Sequence, residues 1–408
     1  MPTEKVIGHL DADCFYVSAE RVRHPRLAEA PVGVIGNQGA CVIAKSYEMK
    51  AAGVKTGMPI WDAIKACPDG LYVKRDFRWY EVLSRLMLDI VREYSPKVEY
   101  YSIDEFFFDA TPPRGETPNA YGMRIRDAIW ERLQIPVTVG IAQTRTLAKL
   151  ISDTAKPFGA RAVFGRAEEE ALLANLPITE VSGIAGRRER RLFPWGVRTC
   201  LDFARMDRRL VRQLLTATGE ALWWELNGDA VIPIQPRRIP HKMLSRGGSF
   251  GEPTDKPQVL FAWLVRNIER LIEELEYHEV LTGRMALWVG YRDGRAGEGR
   301  TSLPVPSDRF DSLLEALRPC LRRAWLPRAM AGRMHLFAED LRPKEQRQLG
   351  LFDSGEAVAS TMAALKRGVN DKHGRFVLRS AATLPLNAIY SDRANEYDIC
   401  DVRGKVCF

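Results

Sequence analysis

Apolar residues recur along the chain with two periods, and the switches between them outline the elements. Residues 5–14 read as a buried strand that closes on acids, and a helical pattern begins at about Phe15. Residues 32–42 predict strand, turn and strand, with Gly36-Asn37-Gln38-Gly39 as the turn. Helical pieces follow at 44–52 and 60–66. At 80–94 a longer helix carries Val82, Leu83, Leu86, Leu88, Ile90 and Val91 as its apolar face. Residues 97–109 predict strand, tight turn and strand. A helix at 118–132, a strand at 136–142 and a helix at 146–155 complete a mixed first half. From about 165 to 235 the pattern changes to short helices with Gly and Arg at their joints. Pro236-Arg237-Arg238-Ile239-Pro240 has no period and reads as an exposed linker. Beyond it, Phe261, Leu264, Val265, Ile268, Leu271, Ile272 and Leu275 mark an amphipathic helix over 261–279. Strands at 284–292 and 333–340 flank a second helix at 309–324, which makes a small helix-on-sheet domain. From about 341 the chain turns polar and loop-like and ends in a weakly periodic tail.

Composition narrows the class. A chain of 408 residues exceeds one ordinary core, so two to four domains are expected. With 46% hydrophobic and 27% charged residues it is not a disordered or collagen-like chain. Sixty Lys+Arg against 52 Asp+Glu give a net charge of +8, a lean toward a polyanionic partner that local distribution must decide. The seven cysteines are scattered, with no CxxC pair, which argues against a zinc site or disulfide framework and predicts a cytoplasmic protein. No apolar run reaches membrane-spanning length and no signal segment follows Met1, so no membrane association is expected. A GxxxxGK[ST] loop is absent, which argues against a P-loop ATPase.

Carboxylates stand in two places where buried strands normally avoid them. Asp11-Ala12-Asp13 closes the first strand. Asp104-Glu105 sits among Tyr100, Tyr101, Ile103 and Phe106 to Phe108. Charge in such apolar surroundings is costly unless paired or bound to a cation. In a regular strand Asp104 and Glu105 would face opposite sides, and a turn or bulge between them brings both to one site. Three carboxylates from two neighbouring strands form a ligand set for a pair of Mg²⁺ ions, hence for in-line phosphoryl transfer. Acids at strand ends also serve simply as turn residues and caps. Spacing alone leaves both readings open.

At these residues the sequence resembles a known family. Asp11-Ala12-Asp13-Cys14-Phe15-Tyr16 with Glu20, and Tyr101-Ser102-Ile103-Asp104-Glu105, look like the two catalytic motifs of Y-family translesion DNA polymerases. Val139-Gly140-Ile141-Ala142, Thr146-Leu147-Ala148-Lys149-Leu150 and Ala155-Lys156-Pro157 form a third block. Ser46 to Lys55 resembles the family's fingers segment. The blocks occur in family order over residues 5–165. Val98-Glu99, Ile141 to Thr144, residues 245–252 and a clamp-like peptide resemble the UmuC type, the catalytic subunit of bacterial DNA polymerase V.

The resemblance implies an α+β multidomain fold, a right-hand polymerase. The expected parts are a mixed-sheet palm (residues 1–30 and 76–165), small fingers (31–75), a helical helix-hairpin-helix thumb (166–235) and an α/β little finger (241–340). A clamp-binding segment and C-terminal tail would occupy 341–408. It implies low-fidelity, template-directed synthesis across damaged DNA. Carried over position by position, Asp11, Asp104 and Glu105 would be catalytic metal ligands, joined by the backbone carbonyl of Ala12. The metals would be two Mg²⁺ ions, with Mn²⁺ able to substitute. Asp13, Cys14, Phe15 and Tyr16 would meet the triphosphate through backbone amides at a helix start. Tyr16 would be the steric gate against a ribose 2′-hydroxyl. Tyr47, Lys50 and Lys156 would hold the β and γ phosphates, with Lys50 where many members carry Arg.

Outside the palm, Val181-Ser182-Gly183-Ile184-Ala185-Gly186 followed by Arg187, Arg188, Arg190 and Arg191 resembles a phosphate-binding helix-hairpin-helix turn. Gly183, Ala185, Arg187 and Arg188 are its expected DNA contacts, although glycine is usual at Ala185. Arg198, Arg205, Arg208, Arg209 and Arg212 extend the basic surface, and Ser245 and Arg246 would track the template backbone. Gln348-Leu349-Gly350-Leu351-Phe352 resembles the peptide by which bacterial polymerases dock to the sliding clamp, with Gln348, Leu349, Leu351 and Phe352 as anchors. Expected partners are primer-template DNA, a dNTP, the sliding clamp, an UmuD-like dimer and a RecA filament, in the bacterial cytoplasm at the nucleoid. Residues 356–408 match the UmuC extension imperfectly, since its closing segment reads Asn395-Glu396-Tyr397-Asp398. Two rivals remain to be weighed. A non-catalytic DNA- and clamp-binding scaffold would be expected to lose the acids, which are present. A nucleotide cyclase would have no use for the basic thumb and the clamp peptide.

Overall fold

The computed structural model describes residues 6–36, 41–237, 240–346, 356–374 and 376–387. The chain divides into two compact units between Arg238 and Ile239, inside the expected linker. No described helix is long and apolar enough to cross a membrane.

Unit 1 begins with β1 (Ile7–Ala12), α1 (Phe15–Arg23), β2 (Val32–Ile35), β3 (Val42–Lys45), α2 (Tyr47–Ala51), α3 (Ile60–Ala66) and β4 (Leu71–Lys74). It continues through α4 (Phe77–Tyr94), β5 (Val98–Tyr100), β6 (Glu105–Asp109), α5 (Pro118–Leu133), β7 (Val137–Ala142), α6 (Arg145–Ala155) and β8 (Ala160–Ala162). Its helical remainder is α7 (Arg166–Ala174), α8 (Gly186–Leu192), α9 (Cys200–Ala204) and α10 (Arg208–Leu226), which breaks at Thr216. Most starts are written into the chain as caps. The side chains of Ser46, Asp76, Thr117, Thr144, Thr199 and Asp207 each accept an amide of the first turn, a contact worth ~1 kcal/mol apiece. Asp76 explains why α4 starts three residues before the expected 80.

The five-stranded sheet has the order β5-β6-β1-β7-β8, with β1 antiparallel to both β6 and β7. Asp11 lies opposite Glu105 on one side and Thr138 on the other, and His9 opposite Phe107 and Gly140. Residues directly opposite share a face, so these six side-chain positions look the same way. That face receives α6. A Cβ on Gly140 would stand 2.2 Å from the Ala148 carbonyl oxygen and 2.4 Å from the Ser152 nitrogen. Glycine is therefore what lets α6 lie against β7. The opposite face takes α5, whose Gly122 nests beside Val139 and Ile141. The apolar interior on the α6 side runs on from Ile7, Leu147 and Ile151 to Phe203, Leu215 and Leu226 of the helical segment. A second sheet, β3-β2-β4, pairs β2 antiparallel with β3 and parallel with β4 around Val42, Met49 and Val54.

Unit 2 comprises β9 (Met243–Thr254), α11 (Pro257–Tyr277), β10 (Val280–Tyr291), β11 (Ala296–Ser307), α12 (Phe310–Ala324), β12 (Ala331–Pro343) and α13 (Glu356–His373). The antiparallel sheet β11-β10-β12-β9 covers its core with α11 and α12, through Leu264, Ile268, Leu317, Met285, Leu287 and Leu336 among others. The expected helix-on-sheet domain is thus present, with β11 as an additional strand. The tail is not loop-like throughout. It forms α13, which ties to α11 through Lys366 on Glu269 at 2.6 Å, while the Ser380 amide donates to the same carboxylate at 3.0 Å.

Candidate active site

The acids gather where β1 and β6 end. β6 starts at Glu105, so Asp104 belongs to the preceding turn. Amides of Tyr101 and Ser102 both donate to the Glu105 carbonyl, and Ala12 donates its amide to the Asp104 carbonyl at 2.9 Å. The turn brings Asp104 round to the side of Glu105. Ser102 fastens the pair: its hydroxyl reaches Asp104 Oδ1 at 2.5 Å and Glu105 Oε2 at 3.2 Å. Asp11, 7% exposed, faces Glu105 across the strand pair.

Ammonium groups meet this negative charge. Lys156 Nζ lies 2.8 Å from Asp11 Oδ2 and 3.0 Å from Asp153. Lys149 donates to Glu105 and stands 4.0 Å from Asp153. Burial pushes the Asp11 carboxyl up to about 7 against the pull of Lys156, and Glu105 and Asp104 push the same way. Burial pulls Lys156 down, but Asp11 and Asp153 more than compensate and it ends above its ordinary value. As they stand, no three His, Cys, Asp or Glu side chains among the described residues form a ready metal-binding set. The donor chemistry nevertheless fits a hard divalent cation: three carboxylates, no sulfur, at the ends of two paired strands. The lysines occupy the positions a cation would claim.

Beneath lies His9, fully buried two residues before Asp11 on the same face. Ser152 donates its hydroxyl to the Lys149 carbonyl, so its oxygen accepts from His9 Nδ1 at 2.7 Å. His9 Nε2 is left as an unpartnered acceptor 4.0 Å from Glu105 Oε1. Burial, reinforced by Lys149, Lys156 and Arg145, holds the imidazole well below its ordinary pKa.

Asp13 has a different task. Its carboxylate accepts from Thr138 Oγ1 at 3.0 Å, the Phe158 amide at 2.8 Å and the Tyr47 hydroxyl at 3.2 Å. Its own amide donates to the Pro136 carbonyl at 2.9 Å. All of these contacts tie the β1–α1 turn to its surroundings, and none leaves that amide for a phosphate. Cys14, at φ 47°, makes the sharp turn into α1. Phe15 and Tyr16 open the helix, where the first-turn amides lack intrahelical acceptors. Tyr16 is half-buried. Its ring stacks on Tyr80 at 4.7 Å and 15°, with Phe77 edge-on at 5.6 Å. Tyr80 in turn donates to the buried Glu20 at 2.7 Å, and Arg23 holds Glu20 from the other side. The Tyr16 ring therefore has a rigid backing. Lys50 is exposed in the last turn of α2.

The hairpin before α8 is built by Gly183, whose φ of 99° suits glycine. Ala185 adopts φ −105° and ψ 177°, an extended N-cap open to any residue, so alanine leaves the turn unaltered. Arg188 folds back onto the Gly183 carbonyl at 2.8 Å, while Arg187 is exposed. Several arginines of the expected basic surface are engaged. Arg205 pairs with Glu170 at 2.8 Å, Arg208 with Glu220 at 3.4 Å, and Arg212 with Glu220.

In unit 2, Ser245 and Arg246 face opposite sides of β9, and Arg246 takes the inner one. It is 6% exposed, and its guanidinium pairs with Glu274 of α11. A side chain spent beneath a helix does not track DNA, and this corrects the expectation for Arg246. Gln348, Leu349, Leu351 and Phe352 lie outside the described residues.

Sequence reasoning assigned no role to Lys149, Asp153, Ser152, Thr138 or His9. One signal was available: Lys149, Asp153 and Lys156 recur at i, i+4 and i+7, one polar stripe of α6.

Comparison with known proteins gives the family. The impB/mucB/samB family matches residues 10–153, and the C-terminal domain of the same family matches residues 241–351. DNA polymerase IV 1 of Bacillus subtilis is 30% identical over 390 residues, 93% of each chain. The chain belongs to the Y-family DNA polymerases. MucB of Salmonella typhimurium, another relative, is 29% identical over 379 residues, covering 88% of this chain and 89% of that one. The two kinds of member match almost equally. Among solved structures, a Y-family chimera of Dbh and Dpo4 has the same fold, with a TM-score of 0.72 at 23% identity over 83% of this chain and 99% of that one.

Proposed function

We propose that this family member is a template-directed, low-fidelity DNA polymerase of translesion synthesis, adding dNMP to a primer 3′-hydroxyl by two-metal-ion phosphoryl transfer. One observation carries the reading. Asp11 and Glu105 oppose each other across β1 and β6, Asp104 joins them through Ser102, and lysine ammonium groups pair with Asp11 and Glu105. Two Mg²⁺ ions, or Mn²⁺ in their place, supply activation of the 3′-hydroxyl and stabilisation of the leaving pyrophosphate when bound. Asp11, Asp104, Glu105 and the Ala12 carbonyl would hold them. Lys156, released from Asp11, would join Tyr47 and Lys50 on the triphosphate. The Cys14, Phe15 and Tyr16 amides would receive it at the start of α1. Tyr16, braced by Tyr80, would exclude a ribose 2′-hydroxyl.

In this reading residues 1–30 and 76–165 are the palm, 31–75 the fingers, 166–235 the thumb and 241–340 the little finger. Gly183, Ala185, Arg187, Arg188 and Ser245 would meet primer-template DNA. Affinity to the UmuC type, and use of an UmuD-like dimer and a RecA filament, rest on the motif residues and on the tail at 356–408. Gln348 to Phe352 would dock to the sliding clamp, in the cytoplasm at the nucleoid. The test is primer extension with dNTPs and Mg²⁺. The wild type should extend, and Asp104→Ala should not, while still binding DNA. Full activity in Asp104→Ala defeats the reading.

A further inference from the structure

The chain between α6 and β8 changes sides of the five-stranded sheet as it passes from Lys156 to Phe158. Lys156 reaches Asp11 on the α6 face, whereas Phe158 lies against α5. The turn has no slack: a Cβ on Gly159 would stand 2.1 Å from the Ala155 carbonyl oxygen. Phe158 carries the cost. Its φ is 48°, in the left-handed region, where a bulky side chain is strained. Such a conformation persists only where its surroundings hold it. The Phe158 amide donates to Asp13 Oδ2 at 2.8 Å. Trp130 meets the Phe158 ring edge-on at 5.5 Å. Arg126, about one helical turn before Trp130 on α5, grips the residue twice. Its guanidinium stands 4.5 Å from the Phe158 ring centroid and donates to the Phe158 carbonyl at 3.2 Å. Asp127 pairs with the same guanidinium at 2.7 Å.

We propose that Arg126 is a positioning residue for the nucleotide triphosphate: by clasping Phe158 it sets where Lys156 stands. The inference rests on the reading of Lys156 as a phosphate ligand, and the residue it adds belongs to α5, on the other side of the sheet. Lys156 is the C-cap of α6, where helical hydrogen bonds no longer fix the backbone. Pro157 alone separates it from Phe158, and a proline ring fixes φ. A shift of Phe158 is therefore passed to the Lys156 stem. An arginine that served only to solubilise α5 would face water. The Arg126 side chain is 16% exposed and is turned onto the loop. The distinction from the acids is kinetic. Misplacing a phosphate ligand weakens binding, whereas distorting Asp11, Asp104 or Glu105 falls on the chemical step.

The experiment uses the full chain in steady-state incorporation of one nucleotide on primed DNA with Mg²⁺, and reads kcat and KM for the dNTP. Arg126→Met keeps an apolar stem and removes the clasp. It should raise KM by about ten-fold and leave kcat within about two-fold. Asparagine takes the left-handed conformation with less strain than phenylalanine. Adding Phe158→Asn to Arg126→Met should therefore bring KM back to within about three-fold of the wild type, a rescue that general damage to α5 would not allow. Adding Arg126→Met to Lys156→Met should raise KM by less than about two-fold more, because the two residues act as one unit. An unmoved KM in Arg126→Met overturns the clasp. So does a loss confined to kcat, a KM that Phe158→Asn fails to restore, or a full additive effect on Lys156→Met. An Arg126→Met chain too unstable to assay, and not rescued by Phe158→Asn, overturns it too. Wild-type incorporation tests the polymerase reading separately. An active wild type with an unmoved Arg126→Met refutes only the clasp, and an inactive wild type refutes both.

Discussion

Glu274 of α11 is neutralised by Arg246 from the four-stranded sheet beneath it, and on the α6 face of the five-stranded sheet Asp11 and Glu105 are neutralised by lysines. Both are charges withdrawn from water, but the partners differ in kind. Arg246 comes from within β9 and is nearly inaccessible. Lys149 within α6 and Lys156 at its C-cap ride on flexible stems, stay partly exposed, and share Asp153 as a second counter-charge. An arginine fork locks its geometry, whereas a lysine is a point charge that swings away. The difference separates a pair that specifies packing from one that can open to admit a ligand.

The sharpest way to break this comparison is to remove one charged partner from each side. Asp11→Asn should cut primer extension by at least about a thousand-fold, some 4 kcal/mol of barrier. It should not lower the melting temperature, because burial disfavours the Asp11 charge and Lys156 keeps Asp153. A matching loss of stability would mean that the lysine pairs hold the fold as Arg246 does.

Arg246→Met probes the other side. Taking Arg246 away leaves the buried Glu274 with His278 at 3.6 Å and should cost about 3–5 kcal/mol in urea unfolding, and adding Glu274→Met should recover most of it. If Arg246→Met instead weakens DNA binding with stability intact, the buried pair is not structural.

Tyr16→Ala sharpens the same contrast at the proposed gate, where an aromatic stack rather than a charge is fixed. Discrimination against ribonucleotides should fall by about 10- to 100-fold, the range over which one shaped contact separates close analogues. An unchanged ratio in competition incorporation would remove the gate from Tyr16.

Much of the site was legible because its residues are local in sequence. Asp11 to Tyr16 and Ser102 to Glu105 each form one turn, and a turn's chemistry is written in consecutive letters. The lysine placeholders were less so, because pairing Lys156 with Asp11 depends on how α6 lies on β1, which the contact at Gly140 decides. Arg246 was misread although strand parity held the answer: Leu244 and Arg246 share a face, and Leu244 is core. Short β4 and β8 escaped because four and three residues show no period. Helix α13 escaped because its apolar face is weak, and ion pairs to α11 supply part of its anchoring.

The smallest effect expected is a change in pH dependence, and it concerns the layer beneath the acids. His9 is packed against Phe107 and bonded to Ser152, with Lys149, Lys156 and Arg145 raising the local positive charge and Glu105 Oε1 at 4.0 Å. Its folded pKa is depressed well below 6.5, while the unfolded chain titrates at the ordinary value. Below pH 6.5 the unfolded state therefore binds a proton that the folded state refuses. Stability contributed by neutral His9 is present above pH 6.5 and drains away as pH falls, by up to about 1.4 kcal/mol per unit. His9→Gln cannot take up that proton. In divalent-free buffer its unfolding free energy should fall less steeply than the wild type's between pH 6.5 and 5. Parallel slopes would show that His9 charges in the folded state, in which case Glu105 must already be turning from Lys149 toward the imidazole, and the placeholder pairing at the acids would need to be redrawn.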